Sequence, residues 1–354
     1  MSSKKSAKKP AAKRKVPKGK VVFLNPRTCG LNKDGDVRYK VDHATSRRTD
    51  QIDNEMLEQV EAYLRGEQPD GMLVEDITTV YERGVLVPQY YDQRLYKEFS
   101  DLLEREQLES VSIGELVRRG IITVREGHGS PSSDFRSGQI PYVKVSDIRS
   151  LRVNVNPTNM VPLILAKKFW RGTESGLREW DLITPNRASS NIGEFAIILP
   201  GEEQIVVTKE VFIVRVKENE EGWDPFYLLW ALSLRAVRQQ WRRVTLMQTN
   251  REDVAGRYRE IELPVPKDKD WAQEVSLPFR NYFTTIASAK HEFVEAVRNA
   301  PFEFIANIAT EKASEAFAAT EPDGAGVGND ADNSSGGLFS VEPGTTPAAV
   351  VDQP

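Results

Sequence analysis

Cysteine is nearly missing from this 354-residue chain. The single Cys29 excludes an internal disulfide framework and a cysteine-rich zinc site, and favours a reducing, cytoplasmic setting. Histidine is almost as scarce, and His43, His128 and His291 stand too far apart for metal-ligand spacing. No run approaches the ~20 apolar residues that a membrane span requires. The first twenty residues alternate lysine with small residues and have no apolar core, so they do not read as a secretory signal.

Catalytic motifs are missing too. There is no G-x-x-x-x-G-K-[ST] phosphate loop, which removes support for a motor or ATPase. Adenine methyltransferases hold a flipped base with Asn or Asp followed by Pro-Pro-aromatic. The nearest stretch, Asn25-Pro26-Arg27-Thr28, lacks the second proline and the aromatic. No glycine-rich cofactor loop follows a strand in the required way. Glu202-Glu203-Gln204 and Pro69-Asp70 do not assemble into a nuclease pair either. The expectation is a chain with no catalytic residue and no metal.

What is present is uneven. The net charge is only −4, but nine basic residues and no acid fall between Met1 and Lys20, while eight acids face one base from Glu311 onward. Opposite tails therefore hide the charge of the middle. Residues 1–20 read as a disordered basic tail and 306–354 as a disordered acidic one.

Between the tails the elements alternate. KVVFLNP and VRYKV read as strands around a glycine-rich turn. Asp53 to Arg65 is apolar at Met56, Leu57, Val60 and Leu64, one helical face, and Gly66 stops it. A further helix runs from about Gln93 to Glu106, which makes 21–107 a small α/β module. Ser112 lies three residues before Glu115, a capping-box pattern that opens the helix IGELVRR. A loop, GHGSPSSDFRSGQ, follows; in it His128, between two glycines, reads as a plain loop residue. IPYVKV, EFAIIL and IVVTKEVFIVRV are short β runs separated by turn residues, so 108–268 reads as mainly antiparallel β.

Asp224-Pro225 starts a helix, FYLLWALSLRAVRQQWRR, with Leu228, Leu229, Leu232 and Val237 inward, Trp230 and Trp241 in the core, and arginines near its end. Arg235, Arg238, Arg242 and Arg243 read more readily as the exposed face of that helix than as a phosphate-tracking stripe. Val275, Phe279, Tyr282, Ile286, Ala289, Phe293 and Ala296 form a heptad seam, so 269–305 is expected to be a coiled-coil helix, with Pro278 near its start. The fold class is α+β: an antiparallel β domain with flanking helices, a long heptad helix, and an N-terminal α/β module.

Four stretches in this order resemble a target recognition domain of type I restriction-modification specificity subunits. They are SIGELVRRGIITVREGHGSPSSDFRSGQIPYVKVSDI, WDLITPNRASSNIGEFAII, IVVTKEVFIVRVKE with DPFYLLWALSL, and TNREDVAGRYREIELPVPKD. Two departures stand out. The family's Arg-Gly in the second signature is replaced by Asn186-Arg187-Ala188-Ser189-Ser190-Asn191, and one domain with one helix makes a half-subunit. In addition, VVFLNPRTCGLNKDGDVRYKV resembles the tail of type I-like adenine methyltransferases, beyond their catalytic motifs.

The resemblance implies a cytoplasmic, non-catalytic subunit that reads double-stranded DNA for a partner adenine methyltransferase, in a restriction-modification or related phage-defence system. S-adenosylmethionine belongs to that partner. A second copy of the chain, or a restriction or translocase subunit, is a further candidate partner. Ser132, Arg136, Lys144, Arg187, Ser190, Asn191, Lys209, Asn250 and Arg251 are the candidate DNA contacts, polar or basic side chains on loops and strand ends. An assembly adaptor and a divergent single-chain restriction or modification enzyme are the competing readings.

Overall fold

The computed structural model describes residues 18–132, 138–187, 190–248 and 251–302, with the backbone alone at 247–248 and 251–252. The two expected tails fall almost wholly outside them. The chain opens with β1 (Lys20–Leu24), the β2 (Tyr39–Asp42) and β3 (Arg47–Ile52) hairpin, α1 (Glu55–Leu64) and β4 (Met72–Asp76). β4 returns antiparallel to β1, with Val22 opposite Val74. Then come α2 (Ile77–Arg83), a 3-10 turn at Pro88–Tyr91 and α3 (Arg94–Glu106). Asn54 caps α1 by accepting from the Leu57 amide, and Gly66 takes the left-handed conformation just past its end.

The face that α1 presents reverses the usual rule. Gln59 and Ala62 are its buried residues, while Met56, Leu57, Val60, Tyr63 and Leu64 are exposed. Beneath it lies a polar knot. Arg94 donates to Asp92, to Glu55 at 2.8 Å and to the Asn25 carbonyl, and Asn25 donates to Asp92 at 2.7 Å. Burial pushes the Asp92 carboxyl up, but hydrogen bonds from Arg94 and Asn25 outweigh it and hold the group below its ordinary value.

The second half begins with β5 (Ser110–Ser112), α4 (Ile113–Arg118) and β6 (Ile122–Glu126). Ser112 does cap α4, accepting from the Glu115 amide at 3.1 Å, but the Glu115 carboxylate turns to Arg118 instead of closing the box. Next are β7 (Ile140–Val143), β8 (Ile148–Arg149), β9 (Arg152–Val153), β10 (Met160–Val161), α5 (Leu163–Trp170), β11 (Leu182–Pro185), β12 (Ala196–Ile197), β13 (Val206–Val207) and β14 (Val211–Val216). The chain closes with α6 (Pro225–Ser233), α7 (Arg235–Val244), β15 (Leu246–Gln248), β16 (Arg251–Asp253), a 3-10 turn, β17 (Glu262–Pro264) and α8 (Lys269–Arg298).

Two sheets carry this half. One has the order β12-β11-β14-β6 and is antiparallel throughout; the other has the order β10-β7-β13, in which β7 and β13 run parallel. The long IVVTKEVFIVRV run is thus split at a turn, and its two strands join different sheets. Strand alternation explains how they stack. Leu182, Ile197, Phe212 and Val214 face α6, α7 and α8 in the largest core cluster. Their neighbours Ile183, Ala196, Val211 and Ile213 face Val143 and Val207 of the second sheet. On that sheet's far side, Ile140, Tyr142 and Val206 pack under Ala166 and Trp170 of α5. Each such side chain, buried on both flanks, contributes about 1.5–3 kcal/mol.

Two helix boundaries differ from the expectation. The helix after Asp224-Pro225 breaks at Leu234, whose extended backbone separates α6 from α7. The break lets Leu228, Leu229 and Leu232 of α6 and Val237 and Trp241 of α7 all reach one core. α8 begins at Lys269, capped by Asp268, so Pro278 sits inside it, not near its start. The heptad seam also divides. Val275, Phe279 and Ile286 pack on the core beside the fully buried Phe283, whereas Tyr282 and Phe293 are exposed.

Candidate nucleic-acid interface

Strand registers decide which loops meet. Glu126 at the end of β6 stands opposite Phe212, and Pro185 at the end of β11 stands opposite Val211. β13 runs parallel to β7 and turns at Thr208–Val211 directly into β14. The C-terminal ends of β6, β7, β11 and β13 therefore lie at one end of the paired sheets. Every described candidate hangs from that end or from the hairpin beside it.

Ser132 is exposed in the loop after β6. Lys144 follows β7 and donates from Nζ to Asn159 Oδ1 at 2.6 Å, while its own amide donates to Asp147 at 2.8 Å. Arg187 follows β11, 41% exposed, with Nε 3.5 Å from an Asp253 carboxylate oxygen. Ser190 is exposed, and Asn191 donates to the Ile148 carbonyl at 3.3 Å. Lys209 is exposed in the β13–β14 turn and makes no ion pair with a described residue. Arg251 begins β16, whose Asp253 bridges to Arg187, but its side chain is not described. Arg136 and Asn250 lie outside the described residues.

Close backbone approach fixes these loops. A Cβ on Gly127 would stand 2.1 Å from the Thr208 carbonyl oxygen, so the loop after β6 is pressed against the β13–β14 turn. Gly193, at φ +81°, would drive a Cβ to 2.5 Å from the Trp241 indole, which seats the β11–β12 loop on α7.

His128 does more than occupy a loop. Its Nδ1 accepts the Val207 amide at 2.9 Å, so Nε2 carries the proton and donates to the Ser175 carbonyl at 2.7 Å. Burial pushes this imidazole below its ordinary pKa. Its signal in the sequence was the flanking pair of glycines, which marks a crowded backbone. Asn186 was also missed: it is buried, exchanges backbone hydrogen bonds with Glu210 and Val254, and its Oδ1 has no partner among the described residues.

Three of the α7 arginines are engaged. Arg235 reaches Glu98 at 2.8 Å and Arg238 reaches Glu194 at 3.1 Å. Arg243 lies over the Tyr90 ring, 5.2 Å from its centre, and 3.6 Å from Glu260. Arg242 stays exposed, beside a groove of about 480 Å³ lined by Ser190, Arg238, Gln239 and Thr245. Trp241 is buried in the main core and Trp230 packs against that core beside Tyr227 and Trp271, as their spacing implied.

Chemically, the described residues at this end offer amide, hydroxyl and cationic donors. Among the described residues no group of three or more His, Cys, Asp or Glu is placed to hold a metal ion. No described helix is long and apolar enough to cross a membrane.

No protein-family model matches the chain, and no curated protein does. Among solved structures it is similar to the type I restriction-modification S subunit from M. genitalium, at 10% identity and a TM-score of 0.35, over 54% of this chain and 42% of that one. The HsdS subunit from Thermoanaerobacter tengcongensis is similar at 10% identity and a TM-score of 0.32, over 70% and 59%. The type IIG restriction endonuclease BpuSI gives 13% identity and 0.38, over 67% and 32%. The chain spans less than two thirds of the length of each.

Proposed function

We propose that this chain is a non-catalytic, cytoplasmic subunit that recognises a specific duplex DNA sequence for an adenine methyltransferase on another subunit. That partner carries S-adenosylmethionine. The reading rests on the ordered signature stretches at 112–268. The observation that carries it is the gathering of their loops, with Lys144, Arg187 and Lys209, at one end of the paired sheets. Phosphate contacts from such cations position a duplex, and polar loop side chains discriminate base edges.

The division into an N-terminal module (21–107), a recognition domain (108–268) and a spacer helix (269–305) belongs to the same proposal. Twelve of the eighteen exposed large apolar side chains among the described residues fall between Leu31 and Val87. We read this concentration of exposed apolar side chains as a protein contact. It supports the N-terminal module as the attachment to the methyltransferase, and the outer stripe of α8 as a second one.

The test is charge reversal of Lys144 and Arg187 together. DNA binding is expected to fall while assembly with the methyltransferase persists. Intact sequence discrimination in that variant would favour the adaptor reading, in which the same apolar surfaces hold a complex together without reading DNA. Methyl transfer or cleavage by the chain alone would favour the enzyme.

A further inference from the structure

The β8–β9 hairpin is built against several local preferences. Its two-residue turn is Ser150-Leu151, and both adopt positive φ, 53° and 64°. A two-residue hairpin favours this left-handed pair, but normally with Asn or Gly in it. A leucine there costs on the order of 1–2 kcal/mol. The strand positions that flank the turn are Arg149 and Arg152, paired directly across the ladder. Like charges in that position repel each other.

Among the described residues neither arginine has a carboxylate partner to relieve the repulsion. Arg149 donates from Nε to the Ser146 carbonyl at 3.0 Å, and Arg152 makes no hydrogen bond or ion pair with a described residue. Both are exposed. By contrast Arg187, Arg215, Arg238 and Arg243 each reach an acid.

The hairpin is held firmly in spite of this. Ile148 and Val153 face the core between the sheets, so the arginine pair points the opposite way. Leu151 packs into the main core and its carbonyl accepts the Ile197 amide at 3.2 Å, fixing the hairpin to the edge of β12. Asn191 of the β11–β12 loop donates to Ile148, so the pair borders the end where the candidate DNA contacts collect.

We propose that Arg149 and Arg152 form a two-pronged clamp on the phosphodiester backbone of the bound duplex, beside the reading loops and without base contact. The repulsion between the two paired, exposed guanidinium groups is relieved when an anion binds them both. Two guanidinium groups side by side match adjacent phosphate oxygens. The clamp rests on the DNA-recognition reading, and it assigns a sequence-independent part of the affinity to residues outside the nine candidate contacts.

The experiment measures binding of the full chain to its recognised duplex and to a random duplex across a salt series. Each phosphate contact contributes ~0.9 to the slope of log K against log salt. Arg149→Gln with Arg152→Gln is expected to lower that slope by about two and to weaken both duplexes equally, leaving their ratio unchanged. Arg149→Lys with Arg152→Lys is expected to keep the slope. Arg152→Gln alone, which removes a side chain without described partners, is expected to take about one unit and guards against a folding defect.

An unchanged slope, or a loss confined to the recognised duplex, overturns the clamp while leaving DNA recognition standing. A wild-type chain that binds no duplex at about 50 mM salt overturns both.

Discussion

His128 accepts the backbone amide of Val207 on its unprotonated Nδ1, at 2.9 Å. That bond ties the loop after β6 to β13, and it is lost when the imidazole gains a second proton. Burial lowers the folded-state pKa, the Ser175 contact opposes the change, and nearby Arg125 adds to it. The unfolded chain, titrating near 6.5, then binds the proton more readily. This contribution to stability is complete above about pH 6.5 and is lost as pH falls toward the folded value. Thermal melts from pH 7.5 to 5 are expected to show that decline. In His128→Asn, melting starts lower and this part of the pH dependence is gone.

Gly193→Ala is expected to act twice. The left-handed backbone is costly for alanine, and the added methyl meets the Trp241 ring. Destabilisation of about 1–3 kcal/mol follows if the ring yields. The β11–β12 loop is expected to shift as well, and under the proposed DNA recognition the affinity for duplex falls further than stability alone explains. Gly172→Ala, where nothing lies within 4 Å and φ is not positive, serves as the silent control.

Arg94→Ala is expected to be severe. It leaves Asp92, 5% exposed, and Glu55 without their cation, and removes the donor to the Asn25 carbonyl. Breaking one side of a buried pair costs about 3–5 kcal/mol. Denaturant titration measures the loss, and protease cleavage is expected to appear first near α1.

The two sides of α8 separate cleanly by mutation. Phe283→Ala empties a fully buried site and is expected to cost about 3–5 kcal/mol. Phe293→Ala, at a position 55% exposed, is expected to change monomer stability by less than about 0.5 kcal/mol and, under the proposed α8 contact, to weaken association instead. Sedimentation of the two variants at matched concentrations distinguishes the effects.

Much of this architecture was legible because local rules and packing agreed. Asp224-Pro225 and Ser112 start helices where their side chains cap the backbone. The leucines of α6 are buried where their spacing placed them. The misreadings came from tertiary context. Nothing in FYLLWALSLRAVRQQWRR announces a break at Leu234, because the break serves a core built from distant strands. The apolar face of α1 has the spacing of a packed helix, yet Gln59 takes the inward place to donate to the Asp70 carbonyl at 3.1 Å. Phe283 lay one residue from the expected seam position Tyr282, a displacement of about 100° around the helix axis.

The candidate contacts came from the order of the signatures, and the strand registers then gathered the described ones. Arg149 and Arg152 were passed over because two arginines three positions apart carry no signal until a two-residue turn sets them side by side.

Strands β11, β12 and β14 are buried on both faces, and among the described residues the loops at the end where the candidate contacts collect are tied down by backbone hydrogen bonds and close glycine approaches. Such a division separates inheritance from innovation. The sandwiched residues tolerate little change, while exposed loop residues such as Ser132, Ser190 and Lys209 are free to vary without disturbing the core. Under the proposed DNA recognition, a library randomised at those three positions, with Gly127, His128 and Gly193 kept, is the natural starting point for redirecting this chain to new targets.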